Sequence, residues 1–470
     1  YSEPMVAPGY YFMDSPGNDL ESIAGQVGSG CNLIFFVTGN GSITNFPFVP
    51  TIKVVTTSER FTQLQSDMDV DAGRYLTGTP MDELGAETFA QMLAVASGEL
   101  SVGERAGHAQ LQIWRDWRLG ADETLATLGE QPAPSGQPLA ITTTTAPELD
   151  FGAPPAQPVA LILPTSLCSG QIARLAAERF NRAATDSPYS RFATLVHTEG
   201  CGVTTQSEFL DTLLGYMVHP LTGACLLLEH GCEKTHNHYW QGKMRDAGLA
   251  LADYGWASIQ GDGGIEKSMA RVWDWFAAQS EGFADPSGSP TRRVGEPLTL
   301  GLLATAEPEE AAALALADLV AALVGQGGSV IVPEGAGVLA SAPFRQRLGL
   351  SGASEPTLRY AGWRYPAGLH IMADPSVSWT ETLTGLGATG AELMLVWGKA
   401  FNGHPLVPLL QVGAEGAGEW DLALAGDPAG WPTALAGLIR ATRAWTHTPL
   451  AMQQHNLDFQ ITRGLLGISL

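Results

Sequence analysis

From residue 159 onward, short apolar runs alternate with longer segments whose apolar residues recur at helical spacing. The short runs predict buried strands, and the periodic segments between them predict helices. Strands that alternate with helices are typical of a parallel sheet covered on both faces, so we predict an α/β fold with parallel, doubly wound sheets in several domains. The predicted strands are residues 159–163, 192–196, 224–228, 256–259, 298–303 and 329–332.

Two segments far apart in the chain repeat one another. Residues 9–54 align with residues 368–412, and their glycines and prolines occur in the same order. Because Gly permits positive φ and Pro fixes φ, shared positions of these residues predict shared turns. In the first copy the pattern predicts the following elements. They are a helix at 20–27, strands at 33–37 and 52–56, and an amphipathic helix at 81–100.

A stretch rich in Pro and Thr separates the first copy from the strand–helix alternation. It contains two Pro-rich clusters and four consecutive threonines, and no periodic pattern survives in it, so we predict a linker. The chain opens on Tyr1 rather than Met, and we expect it to be a piece of a longer polypeptide. The predicted segments are 1–120, the linker 121–157, an α/β domain at 158–292, and 293–470 with the second copy.

The charge balance restricts the partners. The chain has 25 Lys and Arg against 48 Asp and Glu, a formal net charge of −23. This charge repels phosphate backbones and anionic lipid, so we expect neither nucleic acid nor a membrane as a partner. The longest apolar run, residues 311–324, is too short to span a bilayer. Five cysteines in a long chain favour a reducing compartment, and we expect a cytoplasmic protein.

Candidate chemistry follows the predicted strands of the 158–292 domain. In a parallel sheet the carboxyl ends of the strands line one edge, where ligands bind. Thiols, imidazoles and a carboxylate in these loops suit an open divalent metal site for iron(II), manganese(II) or zinc. A closed zinc site is not indicated, because the chain has no Cys-x-x-Cys pair. Taken singly, each residue also has a plain structural interpretation. The residues are Ser166, Cys168, His197, Cys201, His230, Cys232 and Glu233.

Two patterns in the first copy suggest further binding groups. The loop of Thr38, Asn40 and Ser42 follows an apolar strand, and its backbone amides are suited to a carboxylate, although a tight turn explains it equally well. Asp67, Asp69 and Asp71 alternate, so a strand would place all three carboxylates on one face, as a cation site needs. The alternative is a solvated loop.

Several motifs resemble the altronate and galactarate dehydratase family. The order of the matching parts is unusual, because the part that normally comes last stands first here. The chain therefore looks like one and a half copies of a duplicated family chain, and the second copy is divergent. Motifs like the C-terminal half are Phe12-Met13-Asp14-Ser15-Pro16-Gly17, Thr38-Gly39-Asn40-Gly41-Ser42 and Asp67-Met68-Asp69-Val70. Motifs like the preceding half are Thr198-Glu199-Gly200-Cys201-Gly202 and Gly231-Cys232-Glu233.

The resemblance implies a metal-dependent hydro-lyase that converts a hexonate or hexarate to a 2-keto-3-deoxy acid. Iron(II) or manganese(II) would be the cofactor. The partners would be a small sugar acid and either the rest of the polypeptide or another copy of the chain. From their loop positions we assign candidate roles. We assign acid–base catalysis to His197, His230 and Glu233, and metal binding to Cys168, Cys201 and Cys232. We assign substrate binding to Thr38, Asn40, Ser42 and Ser166.

Two other interpretations stay open at this point. In the second copy the loop after the first strand reads Trp397-Gly398-Lys399-Ala400-Phe401 instead of the family's Thr-Gly-x-Gly-Ser. The chain is therefore also interpretable as a degenerate regulatory or structural part of a larger dehydratase. A third interpretation is a module that binds a sugar acid without converting it.

Overall fold

Three parallel sheets account for the strands of the computed structural model, and helices connect the strands of each sheet. The predicted α/β class with several parallel sheets is confirmed. We call residues 1–114 the first unit, 157–280 the second unit and 297–462 the third unit. No helix among the described residues has the length and apolarity needed to cross a bilayer. The described residues are 1–114, 134–143, 146–155, 157–183, 187–199, 207–280, 297–350, 355–376, 378–416 and 419–462.

The first unit contains α1 (Asp19–Gly28), β1 (Ile34–Thr38), β2 (Thr51–Val55), α2 (Ser58–Gln63), β3 (Val70–Asp71), α3 (Met81–Ala96) and α4 (Val102–Arg105). Its sheet has the order β1-β2-β3, so β1 lies at an edge. The side chain of Asn18 accepts the N–H of Leu20 and fixes the start of α1. The predicted helices and strands of this unit are present with shifts of a few residues at their ends.

The second unit contains β4 (Val159–Pro164), α5 (Leu167–Ala183), β5 (Arg191–Thr194), α6 (Ser207–Met217), β6 (Thr222–Glu229), α7 (Asn237–Asp246), β7 (Tyr254–Ser258) and α8 (Ile265–Ser280). The strand order is β5-β4-β6-β7, with every pair parallel. The two central strands are almost wholly buried, which explains their continuous apolar sequence.

The third unit begins with β8 (Thr299–Ala304), α9 (Glu310–Gly325), β9 (Ser329–Pro333), α10 (Gly337–Ala340), α11 (Ala342–Leu348) and β10 (Leu369–Met372). It continues with α12 (Trp379–Ala388), β11 (Leu393–Trp397), β12 (Leu409–Ala414), β13 (Leu422–Leu424), α13 (Trp431–Arg443) and α14 (Leu450–Gln453). The six strands are parallel in the order β10-β9-β8-β11-β12-β13.

The first and third units share specific contacts, which supports the predicted repeat. The backbone N–H of Lys53 donates to Asp69 Oδ2 at 2.9 Å, and that of Gln411 donates to Asp421 Oδ2 at 2.8 Å. The other oxygen of each carboxylate accepts the first N–H of a short helix, α4 in one unit and α14 in the other, at 2.8 Å. Asp69 thus links β2 to α4, and Asp421 links β12 to α14.

The segment predicted as a linker is partly packed against the third unit. Residues 134–143 and 146–155 form no helix, and Leu149 and Phe151 are buried in the core around β8 and α9. Leu139 also forms an antiparallel bridge with Leu369. Apolar residues in this stretch lack periodicity because they contact the core singly, which is why the sequence pattern did not reveal them. Residues 115–133 lie outside the described residues.

A close contact between two helices joins the second and third units, and substitutions at two glycines test its importance for stability. A Cβ at Gly215 of α6 would overlap the carbonyl oxygen of Ala388 in α12, whereas a Cβ at Gly242 of α7 meets nothing within 4 Å. We expect Gly215→Ala to lower the free energy of unfolding by about 1–3 kcal/mol, because backbone cannot yield as a flexible side chain does. We expect Gly242→Ala to raise it by up to about 1 kcal/mol through helix propensity. Urea denaturation of both variants measures the difference, and equal effects would contradict it.

Candidate functional site

The first unit lies against the carboxyl ends of the second unit's strands. The N–H of Ile43 donates to Nε2 of His230, which follows β6, at 3.3 Å. The side-chain amide of Gln63 donates to the carbonyl of Gln260 beyond β7 at 2.8 Å, and Asp67 accepts the N–H of Ile265 at 3.0 Å. Ile43 itself is buried in the second unit's core. The edge at which a parallel sheet binds ligands is therefore an interface between two units.

The loop after β6 brings three of the predicted residues together. Ligand atoms of His230, Cys232 and Glu233 all lie within 4.8 Å of one another, and no other group of three such residues is found in the part of the chain described. His230 and Glu233 are buried, while Cys232 is exposed. The loop folds tightly because Gly231 adopts φ +121°, a conformation that side chains rarely allow.

Glu233 holds this loop in place as an ionised carboxylate. Its Oε1 accepts the N–H of His230 and the hydroxyl of Thr165, both at 2.8 Å, and its Oε2 accepts the N–H of Gly231 at 2.6 Å. Burial by itself raises the pKa of the Glu233 carboxyl, but His230 and the backbone N–H groups outweigh burial and leave this pKa below its ordinary value. The carboxylate is thus occupied by three donors, which makes it a poor proton acceptor.

His230 has a defined tautomer. Its Nε2 accepts the N–H of Ile43, so the neutral ring carries its proton on Nδ1, 3.1 Å from Cys232 Sγ. Burial lowers the pKa of His230, while the carboxylates of Glu233 and Asp19 oppose the shift. The neutral imidazole therefore donates to the exposed sulfur of Cys232.

The position of Cys232 predicts selective chemical modification. We expect iodoacetamide to modify Cys232 at least about tenfold faster than Cys225, because Cys232 is exposed whereas burial raises the pKa of the Cys225 thiol. Peptide mass spectrometry during a time course measures both rates. Faster loss of the Cys225 thiol would show that the loop after β6 is arranged differently.

The loop after β1 lies beside His230. Ser42 is buried, and its hydroxyl donates to Asp19 at 3.1 Å and shares a 2.8 Å hydrogen bond with Thr44. Burial raises the pKa of Asp19, against the effects of Ser42 and His230. Thr38 Oγ1 accepts the N–H groups of residues 41 and 42 at 3.1 Å, so this hydroxyl shapes the loop. Asn40 is exposed. The sequence pattern did not identify Asp19 as a site residue, because an acidic residue directly before a predicted helix is common.

Other predicted residues are held by structural contacts. His197 is buried, its Nε2 lies 2.9 Å from the carbonyl of Pro164, and its Nδ1 accepts the N–H of Glu199 at 3.2 Å. Both ring nitrogens are thus engaged, which argues against catalysis by His197. Ser166 is buried, with its hydroxyl 3.4 Å from that of Ser169. Cys168 is buried in a small apolar cluster with two leucines. Cys201 lies outside the described residues.

The acidic run does not gather its carboxylates at one point. Asp67 accepts the N–H of Ile265 at the start of α8, and Asp69 accepts the N–H groups described above. Asp71 accepts the hydroxyl of Ser58 at 3.0 Å. Each carboxylate therefore serves a separate structural contact, and the arrangement does not favour a cation site at this run.

A buried polar chamber in the first unit was missed by the sequence analysis. Lys53 and His108 are both buried, and a Cβ at Gly103 would lie 2.7 Å from Asn45 Oδ1 and 2.8 Å from Lys53 Nζ. Burial lowers the pKa of Lys53, against Asp69 and Asp67, and burial lowers that of His108 to about 3, helped by the charges of Lys53 and His230. A hydrogen bond with the backbone of Ile43 opposes this shift of the His108 pKa.

The third unit keeps the backbone of this chamber and replaces its polar side chains. The N–H of Gln110 donates to the carbonyl of Asn45, and the N–H of Asp458 donates to that of Gly403. These contacts and the strand register make Gln411, Asn456 and Gly403 the counterparts of Lys53, His108 and Asn45. The fold therefore forms without the amine and the imidazole. This difference between the copies is the one signal in the sequence from which the chamber was identifiable.

A cavity of the fold lies elsewhere. It has a volume of about 550 Å³ and opens at the amino ends of β4 and β8, between the second and third units. Its lining contains one carboxylate, Glu392, which pairs with Arg443 at 3.7 Å. We therefore place the candidate site at the carboxyl edge, where the ionisable groups lie, and not in this cavity.

Comparisons with known proteins match two parts of the chain. Residues 1–119 match the family described as D-galactarate/Altronate dehydratase, C-terminal, and residues 159–280 match D-galactarate dehydratase/Altronate hydrolase, second domain. These two matched parts lie on the two sides of the interface that contains His230.

Curated relatives match over short stretches. Altronate dehydratase of Escherichia coli is 32% identical over 115 residues, which are 24% of this chain and 23% of the relative. Galactarate dehydratase (L-threo-forming) of Escherichia coli is 34% identical over 92 residues, 19% of this chain and 18% of the relative. The (2R)-sulfolactate sulfo-lyase subunit beta of Chromohalobacter salexigens is 28% identical over 115 residues, 24% of this chain and 30% of the relative. The chain thus spans less than a third of the length of each of these relatives.

Proposed function

Because the chain belongs to the D-galactarate/altronate dehydratase family, we propose that it removes water from a sugar acid. The proposed substrate is a hexonate or hexarate, such as altronate or galactarate, and the product is a 2-keto-3-deoxy acid. One observation carries the proposal. The two matched family domains meet where His230, Asp19 and the chamber of Lys53 and His108 interact.

The reaction defines what the site has to do. A base takes the proton from C2, the C3–oxygen bond breaks, and the departing oxygen leaves as water after it is protonated. The resulting enol becomes the 2-keto acid. A proton beside a carboxylate is only weakly acidic, so the site also has to stabilise negative charge on the substrate.

We propose Lys53 as the base. Its lowered pKa increases the fraction of neutral amine at neutral pH, which is the form that accepts a proton. His108 is neutral at the same pH, and its imidazole lies near the interface, where the backbone of Ile43 forms a hydrogen bond with it. Ser42 and Asp19, on the same unit and beside His230 at the interface, would bind hydroxyl groups of a sugar acid. In this proposal the substrate lies between the two units.

His230, Cys232 and Glu233 fit a divalent metal in number and type. Imidazole, thiolate and carboxylate together suit iron(II), manganese(II) or zinc, and three protein ligands leave a position open for substrate. Glu233 Oε2 accepts one N–H, so it keeps a lone pair for a cation. With Nδ1 of His230 as a metal ligand, the ring proton would be on Nε2, and the contact with the N–H of Ile43 would have to open. When bound, the cation would supply positive charge beside the substrate carboxylate or the leaving oxygen.

The third unit has a structural role in this proposal. Its counterparts of the chamber residues carry no amine or imidazole, and Gln411 instead accepts the N–H of Ala400 at 3.0 Å. Its helix α12 packs against α6 of the second unit. We therefore infer one site in this chain, at the interface of the first and second units.

The proposal is tested with the purified chain and added iron(II) or manganese(II) under anaerobic conditions. The substrates are altronate, galactarate and sulfolactate, and NMR detects the 2-keto acid or the released sulfite. Keto-acid formation from a sugar acid supports the proposal. Thermal stabilisation by a sugar acid without product favours a binding module instead. Elemental analysis of Cys232→Ala, with Cys225→Ala as the control, tests the metal site, and equal metal content in both variants counts against it.

A further inference from the structure

Strand β1 is an open edge with an apolar outer face. In the part of the chain described, β1 pairs with β2 alone. The N–H of Ile34 and the carbonyl of Thr38 point to the β2 side, so the alternate residues Phe35 and Val37 direct their backbone groups to the open edge. As whole residues, Phe35 and Val37 are 43% and 65% exposed. Natural edge strands are normally blocked by charge, Pro or a bulge, and the five residues of β1 include no charge and no Pro.

The matching strand of the third unit is covered. By strand register, Leu395 and Trp397 of β11 are the counterparts of Phe35 and Val37, and they are 0% and 9% exposed. Strand β8 pairs along β11, and α9 packs over the same face. The cover that β1 lacks is therefore one strand and one helix.

The N-terminal segment shows the same difference. In the alignment of the two copies, Tyr10 and Phe12 correspond to Leu369 and Ile371 of β10. Tyr10 and Phe12 are 90% and 92% exposed, whereas Leu369 and Ile371 are fully buried. Strand β10 is buried because it pairs with β9. Residues 10–13 have no such strand beside them among the described residues.

Helix α3 is the third uncovered element. Met81, Phe89 and Leu93 form one stripe at helical spacing, and all three are exposed. The helix at the same place in the third unit, α13, packs against α9 and buries Leu435 and Ile439. An amphipathic helix whose apolar stripe faces solvent lacks a packing partner.

We propose that the first unit binds a βαβ unit of the same kind as β8–α9–β9. Its strands would lie between residues 10–13 and β1, and its helix would cover β1 beside α3. The sheet would then have six strands in the order of the third unit. The occupant is polypeptide outside residues 1–470 that carries two apolar parallel strands joined by a helix rich in Ala and Leu, like residues 299–333. This proposal does not depend on the dehydratase function.

A chimera tests the proposal with a defined probe. A second copy of residues 297–368 is placed directly before residue 10, which reproduces the connection that leads into β10 in the third unit. We expect the amides of Phe35 and Val37 to exchange with deuterium at least about tenfold more slowly than in the parent chain. The control chimera carries Leu300→Asp and Leu302→Asp in the added copy only, and its exchange is expected to stay fast.

Two results would overturn the proposal. One is a chimera that does not unfold cooperatively, or in which Phe35 and Val37 exchange as fast as in the parent chain. The other comes from light scattering of the parent chain, which we expect to be a monomer with fast exchange at β1. A stable dimer in which those amides are protected would make a second copy the occupant.

Discussion

Replacing Lys53 by Gln is expected to lower the rate of dehydration by about three orders of magnitude, the typical size of a general base contribution, and to leave the fold intact. Gln is the side chain that the third unit has at the same place, Gln411, where the backbone keeps the same bond to an aspartate. The loss would therefore reflect chemistry and not unfolding. Lys267→Gln, on the exposed surface of α8, is the matched control and is expected to keep full activity.

Two measurements separate a base from a positioning residue. The first is exchange of the C2 proton of the substrate with deuterium oxide, which is expected to disappear in Lys53→Gln together with turnover. The second is the pH profile of kcat/KM, whose rise on the acid side reports the base and is expected to vanish from the residual activity. Full turnover in Lys53→Gln, with an unchanged profile, would remove Lys53 from the mechanism.

Local patterns predicted the fold well because each element carries its own signal. Continuous apolar runs identified the buried parallel strands, and their ends differ from the structure by one or two residues at most positions. The sequence pattern did not predict that the segment around Leu149 and Phe151 packs against the core. An irregular segment that contacts a core at single residues has no hydrophobic periodicity. A periodic sequence pattern indicates residues that are buried at regular intervals, and a single buried residue produces no such pattern.

The candidate site shows the same limit. His230, Cys232 and Glu233 were predicted to lie together and do, because they share one short loop after a strand. The hydrogen bonds that hold Glu233 and His197 involve backbone N–H and carbonyl groups, whose positions a sequence does not display. Lys53 and His108 come together only through the packing of β2 against the segment after α4, so no motif links them.

Acidification from pH 7 to pH 5 is expected to destabilise the chain steeply, because six histidines are buried and burial lowers the pKa of each. Unfolded histidines with a pKa near 6.5 take up protons in this range, whereas the folded ones, whose pKa values are lower, take up fewer. The unfolded state then binds more protons, so stability falls as pH falls below about 6.5. The six buried histidines are His108, His197, His219, His230, His370 and His404.

Buried carboxyls oppose this trend and do not cancel it. Burial raises the pKa of Asp211 and of Asp374 to about 6, so each takes up a proton in the folded state before the unfolded state does. This effect adds stability as pH falls through about 6, in the opposite sense to the histidines. Both carboxyls keep hydrogen-bond or ion-pair partners and are less buried than the histidines, so we expect the histidines to dominate.

His219 allows the size of the effect to be measured at one residue. Burial lowers its pKa to about 4, and its ring bridges two units by pairing with the carbonyl of Ala391 at 3.1 Å and accepting the N–H of Leu221. A pKa of 4 in place of 6.5 removes about 2 kcal/mol of stability between pH 7 and pH 5. In His219→Gln, which cannot titrate, urea denaturation at the two pH values is expected to show a difference smaller by that amount. The exposed His238→Gln is the control, and the same pH dependence in both variants would mean that His219 is charged in the fold.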